Sequence, residues 1–198
     1  TFGTKFYDEF ENVKNELKRG VPAEKVAEKY QIEELPEITE FWTKSSKGKV
    51  EVVPHLFRLF LNNNGFFKYY PPGSRTFVFV RVLDNLMSDV TDDMIKDFVL
   101  DYLMDIDDMM VYNYFAMNTK FFQETFLNYV SKVDPMFMVD TIDDSYIYYN
   151  NCAVKVTKDD VEIIDYRELN GYVWEKQKIG RNFIKSPSDI CEFNTFIK

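Results

Sequence analysis

The chain has 198 residues, 45% hydrophobic and 17% aromatic, with seven glycines, seven prolines and a formal charge of -9. This is core material for one domain or two small ones, and it excludes collagenous and low-complexity classes. The anionic balance argues against a protein coated in lysine for nucleic acid, and no apolar run approaches the roughly 20 residues of a bilayer span.

The first element in the chain is a predicted helical hairpin over residues 1–36. Phe6, Phe10, Val13 and Leu17 recur at helical spacing, Gly20 stops that helix, and Pro22 suits the first turn of the next. Val26, Ala27 and Tyr30 give the second helix its apolar stripe. "LKRGVPAEKVAEKYQI" looks like a helix-turn-helix unit; the favoured reading is two packed helices, and Glu24, Glu28, Glu33 and Glu34 would repel phosphate from it.

Residues 37–90 form a second, basic segment. "ITEFWTKSSKGKVEVV" reads as two short strands around Ser46–Gly48. Pro54 opens a helix from about His55 to Asn63, with Leu56, Phe57, Phe60 and Leu61 inward, and Gly65 ends it in a left-handed conformation. "FFKYY" and "TFVFVRV" are the arms of a hairpin tipped by "PPGSR". Alternation puts Val78, Val80 and Val82 on one face and Phe77, Phe79 and Arg81 on the other. A helix followed by a basic hairpin resembles the second half of a winged-helix unit.

Residues 91–198 read as helices followed by a small antiparallel sheet. Thr91 is the predicted N-cap of a helix whose apolar set is Met94, Ile95, Phe98, Val99, Tyr102 and Leu103. A shorter helix is predicted around Met109 to Met117, then a third carrying Phe121, Phe122, Thr125, Phe126, Tyr129 and Val130, capped by Asn118 or Thr119. Pro135 closes the helical block. "MFMVDT", "SYIYYNN", "AVKVT" and "VEIIDY" are strand-like, with a turn at Lys158–Asp160. The tail from Ser186 to Lys198 reads as a short helix or ordered coil. The fold class is α+β.

Charge is unevenly distributed. From Lys44 to Arg81 there are Lys44, Lys47, Lys49, Arg58, Lys68, Arg75 and Arg81 against Glu51 alone. From Asp84 to Asp108 there are nine aspartates and only Lys96. The basic block is the candidate nucleic-acid surface: cations neutralise phosphate, and rings such as Phe66, Phe67, Tyr69 and Tyr70 could stack on unpaired bases. Lys68, Arg75 and Arg81 lead it, with Arg58 and Lys49 behind.

Other motifs point away from catalysis. No glycine begins a P-loop, and neither a GxGxxG nor a GxSxG occurs. Cys152, Cys191 and the single His55 make no zinc spacing and suit a reducing compartment. "DIDD" (Asp105–Asp108) and "DTIDD" (Asp140–Asp144) lack the flanking strands that would aim two carboxylates at one ion, so no metal ligands and no catalytic residues are assigned.

A family resemblance follows from the order of phrases. "FWTKSSKGKVEVVPHLFRLFLNNNGFFKYY", "FVFVRVLDNLMSDVTDDMIKDFVLDYL", "YNYFAMNTKFFQETFLNYV", "DTIDDSYIYYNNCAVKVTKDDVEIIDY" and "LNGYVWEKQKIGRNF" are similar to the region before the ATPase in phage and plasmid primase-helicases with a superfamily-three motor. These include proteins of phages and prophages of gut Bacteroidetes. The later part of the chain resembles the poxvirus-type primase-helicase N-terminal domain, whose pattern is a strand pair around "NG" followed by a valine-rich strand. Here Asn151 is followed by Cys152 instead, a residue that does not favour positive φ.

The resemblance implies a piece of a longer replication protein, consistent with a start at Thr1 and no secretory signal. It would act in the cytoplasm of a bacterial host, away from membranes, without a cofactor of its own. ATP and Mg²⁺ would belong to the helicase motor of the same chain. Its implied role is non-catalytic: contact with single-stranded or forked DNA beside that motor. The alternative is an oligomerisation or protein-interaction collar, with a homo-oligomer as its product. A nucleotidyl transferase using the aspartate pairs is a third reading.

Overall fold

The computed structural model describes residues 38–185, together with Val13, Glu16, Lys25, Val26 and Lys29. The rest of the expected N-terminal hairpin, the tail from Ser186 to Lys198 and Cys191 lie outside the described residues. Val13 and Val26 are helical and buried. The fold is α+β, and the chain divides into two compact units. The first comprises Thr1–Val82 and Asp89–Asp134, and the second Leu83–Ser88 and Pro135–Lys198.

The first unit is built around phenylalanine. A two-stranded ribbon, β1 (Trp42–Lys44) and β2 (Val50–Val52), leads into α1 (Pro54–Asn63). Pro54 sits where its missing N–H costs nothing, and Leu56, Phe57, Phe60 and Leu61 are the buried face. Asn64 caps α1, and Gly65 (φ 84) turns the chain into β3 (Phe66–Tyr69). β3 pairs antiparallel with β4 (Val78–Leu83). Thr91 caps α2 (Asp92–Asp105) through its Oγ1, which accepts from the Met94 amide at 3.3 Å. Asp108 caps α3 (Met109–Met117) in the same way. Phe41 is the hub of the core. Its ring centroid lies 4.5 Å from that of Phe60, 4.9 Å from Trp42, 5.0 Å from Phe57 and 5.3 Å from Phe115.

Two expectations in this unit are corrected. Met94 is not part of the buried face of α2. That face is Ile95, Val99 and Leu103, and Met94 is 52% exposed. The third predicted helix is broken. A 3-10 turn at Thr119–Phe122 is followed by the one-turn α4 (Glu124–Leu127), with Gln123 extended between them (φ -80, ψ 148). Phe121 and Phe122 are both buried, whereas Tyr129 is exposed. A single helix over this stretch would have placed Tyr129 on the same stripe as Phe121 and Phe122.

The second unit takes residues 86–88 of β5 (Leu86–Val90), which starts after a turn at Asp84 (φ 50) and Asn85 (φ 60). Leu86 and Met87 pair in parallel with β9 (Val173–Trp174). The Asn85 amide nitrogen donates to the carbonyls of Tyr166 (3.0 Å) and Leu169 (3.0 Å), which locks the turn to the loop before β9. β6 (Ser145–Tyr148), β7 (Ala153–Val156) and β8 (Val161–Ile164) form a three-stranded antiparallel sheet. The predicted turn at its β7–β8 end closes with Thr157 N donating to Asp160 O at 2.9 Å. "MFMVDT" is not a strand. It makes one isolated bridge, Phe137 to Tyr172.

Ala153, Tyr166, Leu169 and Val173 are the core of this unit. Tyr166 donates its hydroxyl to the Tyr149 carbonyl. Burial, joined by neighbouring Cys152 and Tyr148, pushes the Tyr166 phenol up to about 12. An unfolded phenol ionises near pH 10. The folded state therefore holds a proton that the unfolded state has lost, and this contribution drains away as pH rises from about 10 to 12. Tyr166→Phe should cost about 1 kcal/mol at pH 8 by losing the hydrogen bond. Urea titrations should show the gap to the unsubstituted chain narrowing by pH 11. A constant gap would contradict this reading of Tyr166.

Candidate nucleic-acid interface

The β3–β4 register decides which side chains share a face. Phe66 pairs with Arg81, Phe67 with Val80, Lys68 with Phe79, and Tyr69 with Val78. Phe66, Lys68 and Tyr70 therefore project with Phe77, Phe79 and Arg81, and Val78, Val80 and Val82 take the other side. Residues 131–133 then dock along the free side of β3. Lys68 N donates to Ser131 O at 2.8 Å and Val133 N to Lys68 O at 2.9 Å, which bridges Lys68 to Lys132 in parallel.

This brings two ammonium groups and two rings together. The Lys68 Nζ stands 5.4 Å from the centroid of Phe77, and the Lys132 Nζ stands 6.0 Å from that of Tyr70. The two rings meet edge to face at 5.7 Å. Tyr70 is 39% exposed. Arg75 is exposed on the loop between the strands, which is shaped by Gly73 and by Ser74 N donating to Pro71 O at 2.9 Å.

The five predicted cations occupy different surroundings. Lys68 donates to the carbonyl and Oδ1 (2.8 Å) of Asn128, both neutral acceptors, and makes no ion pair among the described residues. Arg75 makes no hydrogen bond or ion pair among the described residues. Arg81 is half-buried: its guanidinium lies 4.8 Å from the Phe66 centroid and 4.7 Å from that of Phe98, and Nε donates to Asn64 O at 3.3 Å. Burial lowers its pKa, and its place is in packing the hairpin onto α2. Arg58 is half-buried on α1, with Nε buried and lacking a hydrogen-bond partner among the described residues. Lys49 is exposed and bound to Glu51 at 2.8 Å, a hydrogen-bonded pair that raises its pKa.

The basic block thus separates into engaged and available charge. Lys44 is paired with Asp108 and Lys49 with Glu51. Lys68 and Arg75 keep their charge on the hairpin, and Lys132 joins them. Lys132 lies 64 positions beyond Lys68, and a parallel bridge of this kind leaves no local mark in sequence. The aspartate clusters have structural work of their own. Asp108 caps α3, Asp140 accepts from Tyr146 N at 2.9 Å, and Asp144 pairs with Lys155 at 3.1 Å.

Such a surface can hold a phosphate chain by charge and offer a ring face to a base. Compared with protein-family models, curated proteins and solved structures, the chain matches none.

Proposed function

We propose that this chain is a non-catalytic polynucleotide-binding module that takes single-stranded DNA across Lys68, Lys132, Arg75 and Tyr70. The observation that carries the reading is the juxtaposition of uncancelled cations with an exposed ring on one face of the β3–β4 hairpin. The cations supply a sequence-independent attraction, and Tyr70 supplies a preference for unpaired bases. The replication setting, beside the superfamily-three motor of a longer chain, is part of the same proposal and is supported by the likeness of the quoted phrases.

Anisotropy titrations with oligo(dT) and with a blunt duplex of equal length test it. Tyr70→Ala should weaken oligo(dT) binding about fivefold or more, the lower end of base–aromatic stacking, and barely change duplex binding. Equal effects on both, or none on either, would reject Tyr70 as a stacking surface.

A further inference from the structure

We infer that the solvent face of α2, continued over the turn into α3, is a docking surface for a basic amphipathic helix of a protein partner. At 3.6 residues per turn, Met94, Asp97, Asp101, Met104 and Asp105 fall within about 100° of arc. That arc lies opposite the buried Ile95, Val99 and Leu103. Past the end of α2 the patch gains Ile106, Met109 and Met110, the last beside Gly48 of the β1–β2 loop. Four of these methionines are half exposed or more: Met94 52%, Met104 50%, Met109 50% and Met110 55%. Methionine in contact with water is a loss unless something covers it, and its flexible thioether suits an apolar ridge of variable shape.

Charge selects the occupant. Asp97, Asp101, Asp105 and Asp107 make no ion pair among the described residues. Among the described residues, Lys96 is already used on Asp93 and Lys44 on Asp108, and Lys47 of the β1–β2 loop is exposed. Successive aspartates four apart repel one another along α2, and a cation from outside relieves that. Nucleic acid and anionic lipid carry the wrong sign. A second copy of this chain, at -9, is repelled as a whole. A helix with an apolar stripe flanked by lysine or arginine satisfies both the methionines and the carboxylates.

The probe is a labelled synthetic helix of leucine and lysine about 15 residues long, patterned to carry one apolar face. Its control is a scrambled peptide of the same composition with no such face. The 198-residue chain should bind the patterned peptide about tenfold more tightly than the scrambled one. Met104→Gln with Met109→Gln should weaken the patterned peptide about fivefold or more, the order expected for two lost apolar anchors. Asp101→Asn with Asp105→Asn should do the same and flatten the salt dependence. All four positions are exposed, and an unchanged circular-dichroism spectrum confirms that the variants fold. Absence of binding, equal binding of the two peptides, or variants that bind like the unsubstituted chain would each overturn the inference. Arg75→Gln with Lys132→Gln should leave the peptide affinity as it was, which separates this surface from the hairpin.

Discussion

Phe41→Ala should destabilise the first unit by about 4 kcal/mol, the middle of the range for deleting a buried aromatic ring. The ring is fully buried and touches Trp42, Phe57, Phe60, Tyr102 and Phe115, which belong to β1, α1, α2 and α3. Its removal therefore opens a cavity walled by several elements at once, none of which can close in without giving up its other contacts. Rings are stiff, so relaxation recovers less than it would around aliphatic side chains. Urea titration should show a lower midpoint with an unchanged slope. A loss under about 1 kcal/mol would mean that the core collapses around the gap, and that Phe41 does not organise it.

Gly65→Ala should be nearly as damaging, for a different reason. Gly65 adopts φ 84, and a Cβ placed there would stand 2.2 Å from the Val82 carbonyl oxygen. That approach is enforced by Val82 N donating to Gly65 O at 2.8 Å, the bond that closes the open end of the β3–β4 hairpin against the end of α1. Backbone strain and overpacking together should cost about 3 kcal/mol. The hairpin carries Lys68, Arg75 and Tyr70, so Gly65→Ala should also weaken the DNA binding proposed for it. A variant with normal stability would show that the α1–β3 junction has room to move.

Much of this fold is written locally. Pro54 with Leu56, Phe57, Phe60 and Leu61 announces α1, and Thr91 with two aspartates announces α2. The alternation in "TFVFVRV" gives the two faces of β4. What escaped sequence reading depends on contacts made from afar. β5 begins after Asp84–Asn85, a positive-φ pair without glycine, and β9 is two residues long, paired in parallel with a segment some 87 positions earlier (Leu86 with Val173). Gln123 breaks a stretch whose apolar spacing suits a helix, because an extended residue there keeps Phe121 and Phe122 buried.

The candidate site was legible in its charges but not in their availability. Lys68 and Arg81 are alike as sequence, each a cation among aromatics on alternate positions of a hairpin. Only the packing shows that Arg81 is held between Phe66 and Phe98, and that Lys132 arrives beside Lys68. Met94 teaches the same lesson from the apolar side: spacing alone assigned it to the core, and α2 is rotated so that it faces water.

The salt dependence of oligo(dT) binding tests the central claim most directly. Each phosphate neutralised on a single strand contributes a slope of about -0.7 to log K against log salt. Arg75→Gln with Lys132→Gln should therefore weaken binding and make the slope shallower by about 1.4, two such contacts. A double variant that keeps both the affinity and the slope of the unsubstituted chain would contradict the assignment of this hairpin as the DNA-binding face.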